Sequence, residues 1–200
     1  MFEGIDGAGK SLQIKLCKRY LEDANHSVVV THEPNRNSET GRKIYTKLHA
    51  GNVDQFDLAL LYACDRLENV SVNIKPALLA NKIVLTDRYY YSTFAYQGGI
   101  VPYQNIWVLN SGFPKPDIVF ILKISESTLQ NRLKNKVKDS FEKDLQYLLD
   151  VQDRYLTMKD HEYFQGTEFV ILDGESNPYD IASRVCVSLV PLHTNRQLYI

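Results

Sequence analysis

The stretch from Gly4 to Ser11 limits what this chain can fold into more than any other part of it. It reads Gly-Ile-Asp-Gly-Ala-Gly-Lys-Ser and fits the pattern G-x-x-x-x-G-K-[ST]. Glycines at this spacing let the backbone turn tightly enough for successive N–H groups to point at phosphate oxygens. In such a loop the lysine, here Lys10, bridges the β- and γ-phosphates of a nucleotide, and the serine hydroxyl binds Mg²⁺. The residues predicted to bind the nucleotide are Gly4, Gly7, Ala8, Gly9, Lys10, Ser11 and Leu12.

The segment after this loop has the apolar spacing of a helix. The positive end of its dipole would face the bound phosphates. The alternative is a simple glycine-rich turn with a solvated lysine, which would not need a helix after it. A phosphate loop also follows a buried strand, yet only three residues precede Gly4. The first strand is therefore expected to be very short, unless the chain as given starts several residues late. The apolar positions of the predicted helix are Leu12, Leu16, Cys17, Tyr20 and Leu21.

Short apolar runs alternate with segments of helical period along the rest of the chain. Continuous runs of this length are typical of strands that are covered on both faces. Their alternation with helices predicts an α/β fold with a parallel sheet of about five strands flanked by helices, in which ligands bind beyond the carboxyl ends of the strands. The predicted strands are 27–31, 83–85, 118–122 and 169–172, and the clearest helical patterns lie in 58–69 and 145–156.

The composition fits one domain and argues against several classes of protein. With 200 residues, 44% of them hydrophobic, the chain can bury a sizeable core. Its formal net charge of −1 argues against a general nucleic-acid or membrane-surface binder. The cysteines Cys17, Cys64 and Cys186 have no paired spacing, so neither a disulfide framework nor a zinc site is indicated. Reduced thiols fit a cytoplasmic protein.

A second polar cluster follows the strand at 83–85. Asp87 comes at a strand end, where a carboxylate can hold Mg²⁺ near a phosphate loop, and Arg88 can clamp a phosphate with two parallel hydrogen bonds. A weak surface ion pair between the two is the alternative. Further on, Tyr96 and Gln97 join a flat ring to an amide that both donates and accepts, which suits the edge of a pyrimidine. The other aromatic residues of this segment fit an ordinary core equally well.

As an ordered set, these motifs resemble the thymidylate kinase family, in particular members with an Asp-Gly-Ala-Gly phosphate loop. The resemblance implies a P-loop NTPase-type fold of the nucleoside monophosphate kinase kind, with a lid. It also implies Mg²⁺-dependent transfer of the γ-phosphoryl group of ATP to dTMP, giving dTDP in dTTP synthesis. The motifs are 2–11 with Gln13, Glu33-Pro34, 62–66, Asp87-Arg88-Tyr89, Ser92 with 95–98, and 114–117.

The resemblance assigns roles to individual residues. Tyr62 would stack on thymine, Arg66 would reach the edge of the base, and Arg88 would hold the acceptor phosphate. Asp6 would lie near the sugar, and Glu33 near the acceptor and the metal. The expected catalytic residues are Lys10, Arg88, Arg132, Asp6 and Glu33, the metal ligands are Ser11 and Asp87, and Ser92, Tyr96 and Gln97 complete the pocket. A homodimer is also implied, packed through helices that include the one with Tyr62 and Arg66.

The chain departs from the family pattern in two places. The predicted lid, 131–142, has one clear arginine, Arg132, with lysines at 134, 136 and 138, and Ser140 where the family has an arginine. Lysine supplies charge without a planar fork, and the alternative is a solvated basic face beside a helix. After Glu33-Pro34, the family glycines are replaced by Asn-Arg-Asn, and Tyr45 follows Ile44 in place of an arginine. Either Arg36 or Arg42 would then make the second phosphate contact.

Other interpretations remain open at the level of sequence. The loop 172–175 resembles the one that cradles adenine in the family, although an ordinary strand-to-helix turn fits as well. The acceptor could be another nucleoside monophosphate or a deoxynucleoside. The lysine-rich lid would also suit a weakly active nucleotide-binding protein.

Overall fold

The five strands of this protein form one parallel sheet with the order β2-β3-β1-β4-β5. A computed structural model describes residues 1–51, 53–134 and 144–196. The topology confirms the predicted α/β fold, with helices on both sides of a fully parallel sheet. The strands are β1 (Phe2–Glu3), β2 (Val28–His32), β3 (Ile83–Asp87), β4 (Ile118–Lys123) and β5 (Glu168–Asp173).

Helices connect every pair of successive strands. The helix α3 continues through a π-helical turn, Val70–Ile74, into α4, so that one long helical segment crosses the molecule. Within the described ranges, no helix combines the length and the apolar character needed to cross a membrane. The helices are α1 (Lys10–Asp23), α2 (Glu39–Ala50), α3 (Gln55–Asn69), α4 (Lys75–Leu79), α5 (Tyr90–Gln97), α6 (Tyr103–Asn110), α7 (Glu126–Leu133), α8 (Leu145–Thr157) and α9 (Pro178–Arg196).

The strands extend further toward their carboxyl ends than the apolar runs indicate. The β3 strand ends at Asp87 rather than at Leu85, because Asp87 still pairs with His32 of β2 and with Phe2 of β1. Polar residues are therefore part of the sheet where it approaches the phosphate loop. Since all five strands are parallel, the residues that follow them meet at one edge.

The prediction that the strands are covered on both faces is correct for the centre of the sheet and wrong for its edges. Val119 and Phe120 of β4 are fully buried, whereas Val30 of β2 is 41% exposed and Ile171 of β5 is 42% exposed. These two strands have a neighbour on one side only. Their apolar sequence therefore reflects a partly covered edge.

Two glycines set how closely the phosphate loop approaches the rest of the sheet edge. Gly4 has a φ of +134°, and a Cβ atom there would lie 2.7 Å from the carbonyl oxygen of Leu122. Gly174, in the loop after β5, would place a Cβ atom 2.8 Å from the carbonyl oxygen of Ala8. Real Cβ atoms do not come this close to backbone oxygens, so both contacts require glycine. The phosphate loop is thus held tightly against β4 and against the loop that follows β5.

Candidate active site

The phosphate loop leads directly into the N-terminus of α1. Gly9 ends the loop with a φ of +105°, no side chain caps the helix, and its first turn contains no acidic residue. The N–H groups of this turn are therefore available to an anion. The Nζ atom of Lys10 donates hydrogen bonds to the carbonyl oxygens of Gly4 at 2.9 Å and Ile5 at 3.0 Å. The buried ammonium group of Lys10 thus links two carbonyl groups of the loop, and burial lowers the pKa of Lys10.

The two predicted metal ligands lie side by side. The Ser11 hydroxyl donates a hydrogen bond of 2.7 Å to Oδ2 of Asp87. No group of three or more acidic, histidine or cysteine side chains arranged for a metal occurs in the described part of the chain. A cation at this pair would take its other ligands from phosphate and water, which is the usual way in which proteins bind Mg²⁺. The donor set therefore fits Mg²⁺.

Arg88 is fixed at both ends of its guanidinium group. Its Nη2 atom forms an ion pair with Asp6 at 3.0 Å, and the same nitrogen donates to the Tyr96 hydroxyl at 3.2 Å. Its Nη1 atom donates to the hydroxyls of Ser92 at 3.1 Å and Tyr155 at 3.2 Å. The structure therefore brings together four residues that the sequence predicted for one site, namely Asp6, Arg88, Ser92 and Tyr96.

Two members of this cluster had no predicted role. Glu3 is fully buried and accepts hydrogen bonds from Ser92 and Tyr155. Tyr155 comes from α8, which is far from the motif residues in sequence. Glu3 lies inside the loop motif and Tyr155 inside a predicted helix, but neither pattern indicates a polar contact with Arg88.

Arg66 occupies a second, separate network on the other side of α5. It is 1% exposed, and its Nε atom donates to Oε2 of Glu33 at 2.8 Å. Asn69 donates to the other oxygen of Glu33 at 3.0 Å. The Nη1 atom of Arg66 donates to Asn110, while its Nη2 atom makes, among the described residues, a single long contact of 3.5 Å with the Thr93 hydroxyl. Sequence reasoning predicted Arg66 and Glu33 but missed Asn69, Asn110 and Thr93.

Tyr62 and Gln97 lie apart from the Arg88 cluster. Tyr62, one turn before Arg66 on α3, packs against the small apolar cluster of Ile44, Leu48 and Leu58. Gln97 is fully buried, and its Nε2 atom donates to Gln55 at 3.4 Å. Its Oε1 atom has no hydrogen-bond partner in the described part of the chain. A buried amide oxygen of this kind is costly to leave unpaired and is a suitable acceptor for a ligand.

The segment after Pro34 is held by a buried aspartate. Asp65 accepts hydrogen bonds from the backbone N–H of Asn35 at 2.9 Å and from the Ser38 hydroxyl at 2.7 Å. The guanidinium carbon of Arg36 lies 4.3 Å from the centre of the Tyr45 ring. Both side chains line a cavity of about 740 Å³ that also contains Lys10, Ser11, Asp87 and Arg88.

Arg42 lies elsewhere. It donates to the carbonyl oxygen of Asn37 at 2.8 Å and lines a different surface depression. Of the two arginines that the sequence left open, Arg36 is therefore the one beside the phosphate loop.

Arg132 lies over the outside of the phosphate loop. It donates to the carbonyl oxygen of Gly7 at 2.8 Å and to that of Gly174 at 3.1 Å. The helix that carries it, α7, is capped at its N-terminus by Ser125, whose N–H donates to Glu175 at 2.6 Å. Hydrogen bonds from the Ser125 side chain and backbone lower the pKa of Glu175 to about 2. The rest of the predicted lid, including Lys136, Lys138 and Ser140, lies outside the described residues.

We expect Glu33 to make the stability of the protein depend on pH. Burial raises the pKa of Glu33 from 4.5 to about 7, although Arg66 and Asn69 oppose the rise. Because the folded state then binds the proton more tightly than the unfolded state, this stabilisation is complete below pH 4.5 and is lost as the pH rises through 7. Relative to Glu33→Gln, the wild type should lose about 3 kcal/mol of unfolding free energy over this range.

Denaturant unfolding of both proteins between pH 4 and 8 measures this difference. Glu68→Gln, which changes an exposed carboxylate on the helix that carries Arg66, is the matched control and should follow the wild type. Parallel pH profiles for the wild type and Glu33→Gln would contradict the prediction.

Comparison with known proteins identifies the family. Residues 2–185 match the family model described as thymidylate kinase. The chain is 38% identical to a probable thymidylate kinase of Thermococcus kodakarensis over 79% of this chain and 82% of that protein. It is 35% identical to a thymidylate kinase of Fervidobacterium nodosum (86% and 88%) and 33% identical to one of Thermosipho melanesiensis (92% and 93%). The chain therefore belongs to the thymidylate kinase family of ATP-dependent nucleoside monophosphate kinases.

Proposed function

We propose that the chain transfers the γ-phosphoryl group of ATP to dTMP through the cavity between the phosphate loop and Arg88. One observation carries this proposal: Lys10, the Ser11 and Asp87 pair, and Arg88 all line the same cavity at one edge of the sheet. An oxygen of the acceptor phosphate forms a bond to the γ-phosphorus, and the bond to the β-γ bridging oxygen breaks, so that ADP leaves. Ser11 and Asp87 would hold Mg²⁺ together with the nucleotide phosphates, and the cation would supply positive charge on the donor side.

The reaction needs cations more than it needs a general base. A phosphate acceptor is already ionised near neutral pH, so the enzyme must chiefly align two anions that repel each other. Lys10 supplies a positive charge on the donor side and Arg88 on the acceptor side. Arg88 uses its two terminal nitrogens for protein contacts, while its Nε atom makes no hydrogen bond with the described residues. Its Nε atom thus retains a donor for the acceptor phosphate.

We assign the base of dTMP to the side of α5 that faces α3. Tyr62 offers a ring for stacking, and the Nη2 atom of Arg66 and the Thr93 hydroxyl offer polar groups for the edge of the base. Gln97 adds a buried oxygen without a described partner. On the other side, the Asp6 carboxylate and the Tyr96 hydroxyl, which are 3.2 Å apart, would lie near the sugar.

We further propose that residues 1–200 form one domain with a lid at about 131–142. The contacts of Arg132 with Gly7 and Gly174 support this proposal, because they link the base of the predicted lid to the phosphate loop and to the predicted adenine loop. A phosphate loop that has no arginine of its own would receive this charge from the lid.

Arg36 is proposed as the second ligand of the acceptor phosphate. Its charge lies in the same cavity as Arg88, and the Tyr45 ring supports it from one side. Stacking on an aromatic face leaves the N–H groups in the plane of the guanidinium available to a phosphate. Tyr45 would thus act as the support for Arg36 at the position where the family has an arginine.

A homodimer is proposed through the outer face of α3 and α4. Phe56, Leu60 and Leu67 form an exposed stripe along α3, and Val72 and Leu79 continue it with 65% and 89% exposure. Apolar stripes of this size on a single helical segment usually pack against another surface. Because the opposite face of α3 carries Arg66, a dimer would also stiffen the base site.

An assay of ADP release with ATP, Mg²⁺ and a panel of monophosphates tests the proposed activity. We expect dTMP to be preferred over dUMP, dCMP and dGMP, with dTDP as the product. Lys10→Met should keep the fold and lower kcat at least about a hundredfold, because it removes a charge that acts on the transferring group. Preference for another acceptor would overturn the assignment of the base pocket, and near-normal turnover by Lys10→Met would overturn the role of the loop.

Arg36→Ala and Arg42→Ala form a matched pair that tests the second phosphate ligand. We expect Arg36→Ala to weaken dTMP binding about tenfold or more, since a hydrogen bond to a charged group is lost, with little change in ATP binding. Arg42→Ala should bind both nucleotides as the wild type does. Titration calorimetry measures both affinities. A larger effect from Arg42→Ala would reverse the assignment.

Leu67→Glu should convert the proposed dimer into a monomer, because a charge in an apolar interface is costly to bury. Light scattering should give the mass of two chains for the wild type and of one chain for the variant. Val187→Glu, at an exposed position of α9, is the control and should remain dimeric. A wild-type protein of single-chain mass at micromolar concentration would refute the dimer.

A further inference from the structure

Glu3 is a buried carboxylate that does not line the cavity between the phosphate loop and Arg88. We propose that Glu3 is a positioning residue for Arg88, whose guanidinium group it orients through the hydroxyls of Ser92 and Tyr155. This inference rests on the proposed function only in taking Arg88 as the ligand of the acceptor phosphate.

The surroundings of Glu3 are unusual for a buried charge. Its side chain is fully buried, and no basic side chain in the described part of the chain forms an ion pair with it. It accepts three hydrogen bonds instead, from the backbone N–H of Tyr89 at 2.8 Å, the Ser92 hydroxyl at 2.6 Å and the Tyr155 hydroxyl at 3.0 Å. Burial raises the pKa of Glu3, and the hydrogen bonds from Ser92 and Tyr155 together with the nearby charge of Arg88 oppose the rise. Such a group is costly to keep unless its charge has a use.

The hydroxyl groups of Ser92 and Tyr155 indicate what the charge of Glu3 does. The oxygens of Ser92 and Tyr155 also accept hydrogen bonds from the Nη1 atom of Arg88, at 3.1 and 3.2 Å. A hydroxyl has one proton, and it can accept from Arg88 only if that proton points elsewhere. Oε2 of Glu3 is the charged acceptor that both hydroxyls share, and the two hydroxyl oxygens also lie 2.7 Å from each other, so that a proton of one can reach Oε2 directly or through the other hydroxyl. The carboxylate therefore turns the lone pairs of both hydroxyls toward Arg88.

The other edge of the guanidinium is arranged in the same way. The Tyr96 hydroxyl donates to Asp6 at 3.2 Å and accepts from the Nη2 atom of Arg88 at 3.2 Å. Each terminal nitrogen of Arg88 thus faces a hydroxyl whose proton is taken by a carboxylate. Asp6 is 33% exposed and can also contact the substrate, whereas Glu3 is fully buried and can act only through its neighbours.

Glu3 holds the backbone of Arg88 as well. Arg88 has a φ of +68°, in the left-handed region that residues other than glycine rarely adopt. The N–H of Tyr89, the next residue, donates to Glu3, and the N–H of Arg88 itself donates to the carbonyl oxygen of Phe2 at 3.0 Å. Residues 2 and 3 therefore hold Arg88 from both sides of the strained position.

The variant Glu3→Gln keeps the size of the side chain but replaces Oε2, which orients the two hydroxyls, with an NH₂ group. The amide oxygen can still accept from Tyr89, but the NH₂ group that replaces Oε2 donates to Ser92 and Tyr155. One hydroxyl can then donate to the other, but the remaining proton loses its carboxylate acceptor and turns toward the positive charge of Arg88, which is unfavourable. We expect the Kd of dTMP to rise about tenfold to a hundredfold, as for a lost hydrogen bond to a charged group. The Kd values of thymidine, which has no phosphate, and of ATP should stay within about threefold of the wild type.

Titration calorimetry of the full chain with dTMP, thymidine and ATP measures these affinities. Glu168→Gln, an exposed change at the start of β5, is the matched control and should leave all three Kd values unchanged. Unchanged dTMP binding by Glu3→Gln, or equal losses for dTMP and thymidine, would overturn the inference. If the wild type prefers another monophosphate, the proposed function fails, and the comparison is repeated with that monophosphate and its nucleoside.

Tyr155→Phe keeps the test decisive if Glu3→Gln does not fold. It removes one of the two hydroxyls that lie between Glu3 and Arg88, leaves the Glu3 carboxylate in place and retains the aromatic packing of the ring. The Kd of dTMP should rise about threefold to tenfold, again with no change for ATP. Wild-type affinity for dTMP in this variant would overturn the inference. Where both variants fold, the loss in the double variant should be smaller than the product of the single losses, since both act on one network.

Discussion

The alignment of the two proposed phosphate sites depends on hydrogen bonds made by a strand of two residues. Phe2 and Glu3 pair with β4 on one side and reach Asp87 and Arg88 on the other. Gly4, the next residue, starts the phosphate loop, whose first carbonyl group accepts from Lys10. Phosphoryl transfer requires donor and acceptor within a few ångströms in a fixed orientation. Because the loop and Arg88 are both attached to this short strand, a shift in β1 would displace the two sites relative to each other.

Charge is distributed over two networks that do not share a residue, one fully buried around Arg66 and one partly buried around Arg88. Arg88 is balanced by Asp6 and, through hydroxyls, by Glu3, whereas Arg66 is balanced by Glu33. Burying an arginine requires a nearby counter-charge and hydrogen bonds for most of its N–H groups. Each network meets that requirement and still leaves a nitrogen with capacity for a ligand. In Arg66 that nitrogen is Nη2, whose contact with Thr93 is 3.5 Å long. The two arginines can therefore serve the two ends of one monophosphate.

Sequence patterns predicted the parts of this site that depend on local chain geometry. The phosphate loop, the helix after it and the Asp87-Arg88 pair at a strand end are each contained within a few residues, so their spacing carries the information. Glu3, Asn110 and Tyr155 were missed as partners of the two arginines because their contacts join residues 44 to 152 positions apart. Helical spacing predicts that Tyr155 is buried, but it does not specify where its hydroxyl points. Only the packing of α8 against α5 brings that hydroxyl to Ser92.

The segment after Pro34 shows how a local departure from the family pattern can preserve the chemistry. A glycine pair is replaced by residues with longer side chains, in a segment that Asp65 holds by accepting hydrogen bonds from the backbone N–H of Asn35 and from the Ser38 hydroxyl. With the loop held there, the exposed Arg36 side chain lies over the Tyr45 ring. An arginine at position 45 would place a second positive charge against Arg36, whereas an aromatic ring attracts that charge. The two departures are therefore coupled: with Arg36 in this place, Tyr45 is the compatible neighbour, and changing either one alone would disturb the other.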